Sequence, residues 1–187
     1  MEKKEDRRVL YTKMFLKEAL LSLMKEKPVD RITPTELCRT AGINRNTFYS
    51  HYYTVRDLLQ SVEDDLEGEI IQSLMTKLSK NSVLDLLFEV CETLYKQKEL
   101  CKILLSDHGD KAFLEKVIGM GKNFIVADWR SRGMDISEDT CDMIFCFVVD
   151  GSLSVLRQWA KDDMRQSPRE IATLIEKICY GGTSAFE

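Results

Sequence analysis

Six residues within seven consecutive positions concentrate the readable chemistry of this chain: Arg45, Asn46, Thr47, Tyr49, Ser50 and His51 offer hydrogen-bond donors and acceptors with no carboxylate among them. Base edges and phosphate oxygens require such a set. A guanidinium or a carboxamide pairs with two atoms of a purine edge, and hydroxyls reach phosphates. Arg45, Asn46 and Thr47 are expected to read bases, and Thr33, Thr35, Tyr49, His51, Tyr52 and Arg56 to hold phosphates.

Side chains of this kind are useful only if something rigid presents them, and the flanking sequence supplies it. Thr33 is a good N-cap, Pro34 suits the first helical position, and Glu36 three residues after Thr33 completes a capping-box pattern. The helix they start runs to about Thr40, where Gly42 can adopt the left-handed conformation that reverses the chain. Asn44 caps a second short helix, with Leu37, Ile43 and Phe48 as the apolar anchors between the two and Cys38 small enough to sit at their crossing. A first helix from about Asp6 to Glu26 carries Leu16, Ala19, Leu20, Leu23 and Met24 at helical spacing, a stripe that would pack on the pair.

The segment from about Arg8 to Val62 resembles the TetR/AcrR family of transcriptional regulators, whose head has a T-V-x-x-I-A helix, an A-G-V-S turn and a recognition helix ending in T-x-Y-x-x-F. The matching residues are Thr33, Leu37, Cys38, Ala41, Gly42, Ile43, Asn44, Thr47, Phe48, Tyr49 and Tyr52, followed by Leu58 and Leu59. Pro34 replaces the usual Val, Pro28 stands where a Gly usually ends the first loop, and Val55 stands where the family commonly has a phosphate-contacting Lys. Arg56, one position on, or the backbone amides at the helix start after Thr54 would take that contact. The resemblance implies a dimeric regulator, most often a repressor, which an effector bound in the C-terminal part releases from DNA.

Charge is divided along the chain in the same sense. Residues 1–56 carry twelve Lys and Arg against seven Asp and Glu, whereas residues 57–187 carry fifteen against twenty-four. A basic head on an acidic body places attraction for a polyanion where the motif lies, although the whole chain is acidic with a pI near 5.4. Its 187 residues, 44% hydrophobic and 31% charged, suit one or two globular domains. No apolar run approaches the roughly 18 residues that span a bilayer. The start, MEKKEDRR, lacks the apolar stretch of a secretion signal, so a cytoplasmic protein is expected.

Three prolines and few glycines favour long helices, and the fold is expected to be all-α: a three-helix head over 1–53, joined by a long helix to a helical effector-binding and dimerisation body over 54–187. Thr54 caps the connecting helix, which carries Leu58, Val62, Leu66, Ile70, Leu74 and Leu78 at four-residue steps. Further helices are expected near 82–106, 110–132, 137–164 and 168–180, with Ser137 and Ser167-Pro168 as start signals. Asp107-His108-Gly109-Asp110 reads as a polar turn between helices.

No phosphate-binding glycine loop, nucleophile motif or paired carboxylates point to catalysis, so no enzyme activity and no catalytic residue are expected. Cys38, Cys91, Cys101, Cys141, Cys146 and Cys179 are scattered, and neither they nor His51 and His108 form a zinc spacing. Reduced core thiols without metal or cofactor are the expectation. Cys101, Met120, Phe124 and Trp129 are candidates for an effector pocket, since Met and aromatic side chains adapt to apolar ligands. Phe145, Phe147, Val148, Val149, Leu153, Val155, Leu156 and Trp159 make the penultimate helix apolar nearly all round, and Ile171, Leu174, Ile175 and Ile178 stripe the last. In the resembled family the last helices of two subunits form a four-helix bundle, so Phe147, Gly151, Ile171, Leu174, Ile175 and Ile178 are candidates for a homodimer interface. Such a dimer would present two recognition helices to a near-palindromic duplex. Two alternatives remain open: a body that docks a partner protein and activates, and a helical module that keeps the helix pair only as packing.

Overall fold

The computed structural model describes residues 7–77 and 83–184, apart from the side chains of 73–77 and of Met120. The expected contributions of Asp6, Leu74, Leu78 and the Met120 side chain lie outside the described residues. Among those residues the regular structure is helical: α1 (Arg7–Met24), α2 (Pro34–Ala41), α3 (Arg45–Tyr49), α4 (Val55–Lys77), α5 (Val83–Lys96), α6 (Lys98–Leu104), α7 (Lys111–Ser131), α8 (Glu138–Lys161) and α9 (Pro168–Thr183), with one 3₁₀ turn at Val29–Arg31.

Two compact units share these helices. The first takes the chain through Leu66 together with Ser106–Gly109; the second takes Glu67–Leu105 and the chain from Asp110 onward. The head therefore extends beyond the expected boundary at residue 53. The reason is packing: Val55, Leu58, Leu59, Val62 and Leu66 are all buried, so the first turns of α4 belong with the core made by Leu16, Leu20, Met24, Leu37 and Phe48. The turn between α6 and α7 joins the same unit. There the Nδ1 of His108 lies 3.0 Å from the carbonyl oxygen of Met24, the last residue of α1, and because a carbonyl only accepts, this ring nitrogen carries the proton. The rest of the turn is the polar connection expected of it, with His108 N–H donating to Ser106 Oγ at 3.1 Å and Asp110 capping α7 through the Ala112 N–H.

In the second unit α5 packs chiefly on α9, α8 on α9, α6 on α8, and α7 on α8. The helix expected over 82–106 is two helices. The backbone leaves helical geometry at Gln97 (φ −101°, ψ 35°), whose side-chain Nε2 donates to the Glu69 carboxylate at 3.0 Å, and beyond it α6 follows α8 instead of α9. Ser137 and Ser167 cap α8 and α9 as expected, the latter in a full capping box with Glu170. Between these two helices Asp163 and Met164 take positive φ of 61° and 50°, a conformation disfavoured for side-chain-bearing residues. Lys98 and Lys102 of α6 hold the Asp163 carboxylate at 3.1 and 2.5 Å, and Trp159, stacked on Tyr95, donates to the Gln166 carbonyl at 3.0 Å.

Candidate nucleic-acid interface

Three local devices build the helix pair. Thr33 Oγ1 accepts the Glu36 N–H at 3.2 Å and starts α2. At its other end Gly42 (φ 66°, ψ 24°) closes a Schellman turn, with Gly42 N–H donating to Arg39 O at 3.3 Å and Ile43 N–H to Cys38 O at 2.9 Å. Asn44 Oδ1 then accepts the Asn46 N–H at 2.8 Å and starts α3. Each device satisfies backbone groups that a helix end leaves open. Phe48 projects inward from α3, fully buried, and Tyr52 lies over it with ring centroids 6.0 Å apart.

With Phe48 inward, the opposite side of α3 is free. Arg45, Asn46, Tyr49 and Ser50 are exposed, and Thr47 and His51 are half-buried. Arg45 lies 5.9 Å from the centroid of the Tyr49 ring, a cation–π contact that limits where the guanidinium can point. Ser50 Oγ donates to Thr47 O at 2.7 Å, so part of its capacity is used within the helix. Thr33 and Thr35 are exposed at the start of α2.

Two of the expected phosphate holders are placed differently from the rest. Tyr52 is only 9% exposed, its ring part of the core under α3. Arg56 is exposed but bonded to Asp30 Oδ1 at 2.7 Å, which draws the guanidinium towards the 3₁₀ turn. Val55, standing where the resembled family has a cation, is buried. The start of α4 is closed by a reciprocal pair in which Thr54 N–H donates to the Asp57 carboxylate at 2.9 Å and Asp57 N–H to Thr54 Oγ1 at 3.1 Å. An acid at this helix start disfavours a second anion, which argues against the bare amides as a phosphate site.

The residues proposed from the sequence for the body separate. Trp129 is buried in a core between α7 and α8 with Met134, Cys141 and Phe145, and neither Cys101 nor Phe124 belongs to that cluster. Cys101 is buried in α6, where loss of water, reinforced by the nearby Glu69 carboxylate, pushes its thiol up to about 12. Burial pushes the Cys91 thiol to about 12 as well. Such thiols stay protonated and unreactive near neutrality. Of the pocket candidates whose side chains are described, Trp129 and Cys101 are core residues of different helices and Phe124 is half-buried.

The interface candidates also divide. Ile171 and Ile175 are buried inside the protomer and are no part of an outward face. Leu174 and Ile178 point outward at 46 and 57% exposure, and on α8 Phe147 and Met143 do so at 77 and 66%. Gly151 is exposed with open space above it. Met143 escaped the sequence reading, although its spacing of four from Phe147 was there to find it. Among the described residues no three or more His, Cys, Asp or Glu side chains gather as a metal site, and no helix is long and apolar enough to cross a membrane.

Comparison with known proteins bears on both units. A TetR-type family described as the C-terminal region of transcriptional regulators matches residues 81–181. The HTH-type transcriptional regulator YxbF of Bacillus subtilis (strain 168), itself uncharacterized, is 38% identical over 81 residues, which are 43% of this chain and 21% of YxbF. The match thus spans about a fifth of that curated relative's length. Among solved structures, a TetR transcriptional regulator from Streptococcus agalactiae 2603V superposes with a TM-score of 0.66 at 22% identity, covering 94% of this chain and 97% of its own. The dihydroxyacetone kinase operon activator DhaS superposes with a TM-score of 0.58 at 17% identity, covering 94 and 98%. At such identities the two structures speak for the fold.

Proposed function

Since the chain belongs to the TetR family of transcriptional regulators, we propose that it acts as a dimeric repressor: two copies of α3 enter successive major grooves of a near-palindromic operator until an effector acting on the body releases them. The observation that carries this reading is the α3 face, where Arg45, Asn46 and Tyr49 stand exposed on a helix pair locked by Thr33, Gly42 and Asn44. Arg45, Asn46 and Thr47 read bases. Thr33, Thr35, Tyr49 and His51 contact phosphates, and Arg56 joins them by exchanging Asp30 for a phosphate oxygen. Tyr52 contributes by supporting Phe48, against which its ring packs.

The dimer face is the outward side of α8 and α9, made by Met143, Phe147, Leu174 and Ile178, with Gly151 admitting a close helix approach. Effector binding favours the arrangement that cannot reach both half-sites, since a ligand indifferent to the two states shifts neither. Selection of bound sequences from a random duplex library by the purified, effector-free protein at two salt concentrations tests the proposal. Enrichment of a near-palindrome, with affinity falling steeply as salt rises, is the expected result. No enrichment at either salt concentration overturns it.

A further inference from the structure

The outer side of α1 carries apolar side chains that the head leaves uncovered. Leu10, Tyr11, Met14 and Phe15 are 57, 55, 41 and 44% exposed, whereas Leu16, Ala19, Leu20 and Met24 on the inner side are buried. Tyr11 and Phe15 stack on each other, with ring centroids 6.5 Å apart and planes at 24°. Singly exposed apolar residues are ordinary, but a contiguous run of them on one helix face marks a contact surface. The ends of the run are charged and also exposed: Arg7 and Arg8 precede it and Glu18 follows it.

The spacing identifies what fits. Arg8, Tyr11, Phe15 and Glu18 succeed one another in steps of three, four and three, which places them along one side of the helix. An identical helix laid antiparallel, with the two-fold axis passing at Lys13, sets Tyr11 against the second copy's Phe15 and Arg8 against its Glu18, each pair occurring twice. A parallel copy would oppose like charges at both ends. The face is therefore self-complementary in shape class and in charge for the antiparallel arrangement.

We propose that the outer face of α1 is a self-association surface that docks α1 of a second copy antiparallel, joining dimers into tetramers and, because each dimer carries two such faces, into longer assemblies. The proposal goes beyond the repressor reading and uses a different element from the α8–α9 dimer face. Roughly two turns of helix bury far less than the ~800 Å² per partner of an ordinary stable interface, so free association is weak. Two dimers seated on neighbouring DNA sites meet at a far higher effective concentration, and there the contact yields cooperative occupancy.

Sedimentation equilibrium of the full chain, from micromolar to near-millimolar protein at low salt, tests this. The wild type is expected to move from dimer to tetramer mass and beyond with concentration. Tyr11→Ser/Phe15→Ser should remove the tetramer, and Glu18→Arg should weaken it about tenfold by placing arginine against arginine at two symmetric points. The exchange Arg8→Glu/Glu18→Arg should restore it. A wild-type mass fixed at the dimer, a Glu18→Arg variant that associates like the wild type, or an exchange that fails to restore association overturns the proposal. Phe147→Asp separates this outcome from the dimer reading. It should give a monomer at low concentration that associates through α1 no further than a dimer, and a dimer that survives dilution in Phe147→Asp/Tyr11→Ser/Phe15→Ser refutes the α8–α9 face without touching the α1 series.

Discussion

The head and the body of this protein are built from similar helices but specified in different ways. In the helix pair, the decisive interactions span a handful of residues: Thr33 to Glu36, Gly42 to Arg39, Asn44 to Asn46. In the body they join distant positions, such as Lys98 and Lys102 to Asp163, or Gln97 to Glu69. A surface that must present fixed side chains to a rigid duplex gains from local specification, because its geometry then depends little on what the rest of the chain does. Under the proposed function, the body must change arrangement on binding an effector, which packing between elements permits.

The largest effect that sets the two regions apart is expected from Phe48→Ala. It empties a fully buried site in a small head and should cost about 3–5 kcal/mol of head stability. Phe147→Ala removes a ring of the same size from a side chain 77% exposed, and should leave protomer stability almost unchanged while shifting the dimer equilibrium. Chemical denaturation followed by sedimentation velocity measures both. Equal losses of stability in the two variants would remove the distinction between a core anchor and an interface residue.

Next in size is the division of labour on α3. Arg45→Ala should cost about 1–3 kcal/mol on the preferred operator and little on unrelated duplexes, because it removes base readout. Tyr49→Phe should weaken all sequences alike, by the loss of a phosphate contact. Tyr49 also supports Arg45 through the 5.9 Å cation–π contact, so the ring itself must be kept for the comparison to be clean. Titrations on specific and scrambled duplexes distinguish them, and identical profiles would sink the assignment.

Gly42→Ala probes the local specification itself. The position has φ of 66° with open space around it, so the added methyl meets no neighbour and the cost is conformational alone, about 1–2 kcal/mol. Thermal unfolding should show that loss. No loss would mean that the turn relaxes to another geometry.

The same contrast explains what was legible beforehand. Caps, the Gly turn and the inward Phe48 follow from residue types at short spacing, and all of them stand where the sequence placed them. The break at Gln97 was invisible because Gln and Lys are good helix formers, and it arises where α6 turns to follow α8. On α9, Ile171 and Ile175 are buried and Leu174 and Ile178 exposed. Four apolar residues at mixed steps of three and one cannot say which pair faces the protomer's own core. Nor does any local signal reveal that Arg56 is drawn to Asp30, or that His108 bonds to the end of α1 from 84 positions away.

The smallest expected effect concerns the contact that braces α2 against the end of the first loop. Lys27 Nζ lies 2.8 Å from both carboxylate oxygens of Glu36, and this bond, more than any other influence, holds the Glu36 carboxyl below its ordinary value of 4.5, with the Thr33 backbone contributing in the same direction. A carboxyl whose value is lowered in the folded state stabilises that state while it is ionised. The contribution is therefore complete above about pH 4.5 and disappears as the pH falls through the lowered folded value. Glu36→Gln should make the head slightly less stable near neutrality, and the difference from the wild type should shrink to nothing in acid. Because both side chains of the pair keep some contact with solvent, added salt should reduce the difference too. If unfolding curves of the two proteins stay equally far apart across the acid range, the brace is not electrostatic, and α2 is held by its Thr33 cap and its buried Leu37 alone.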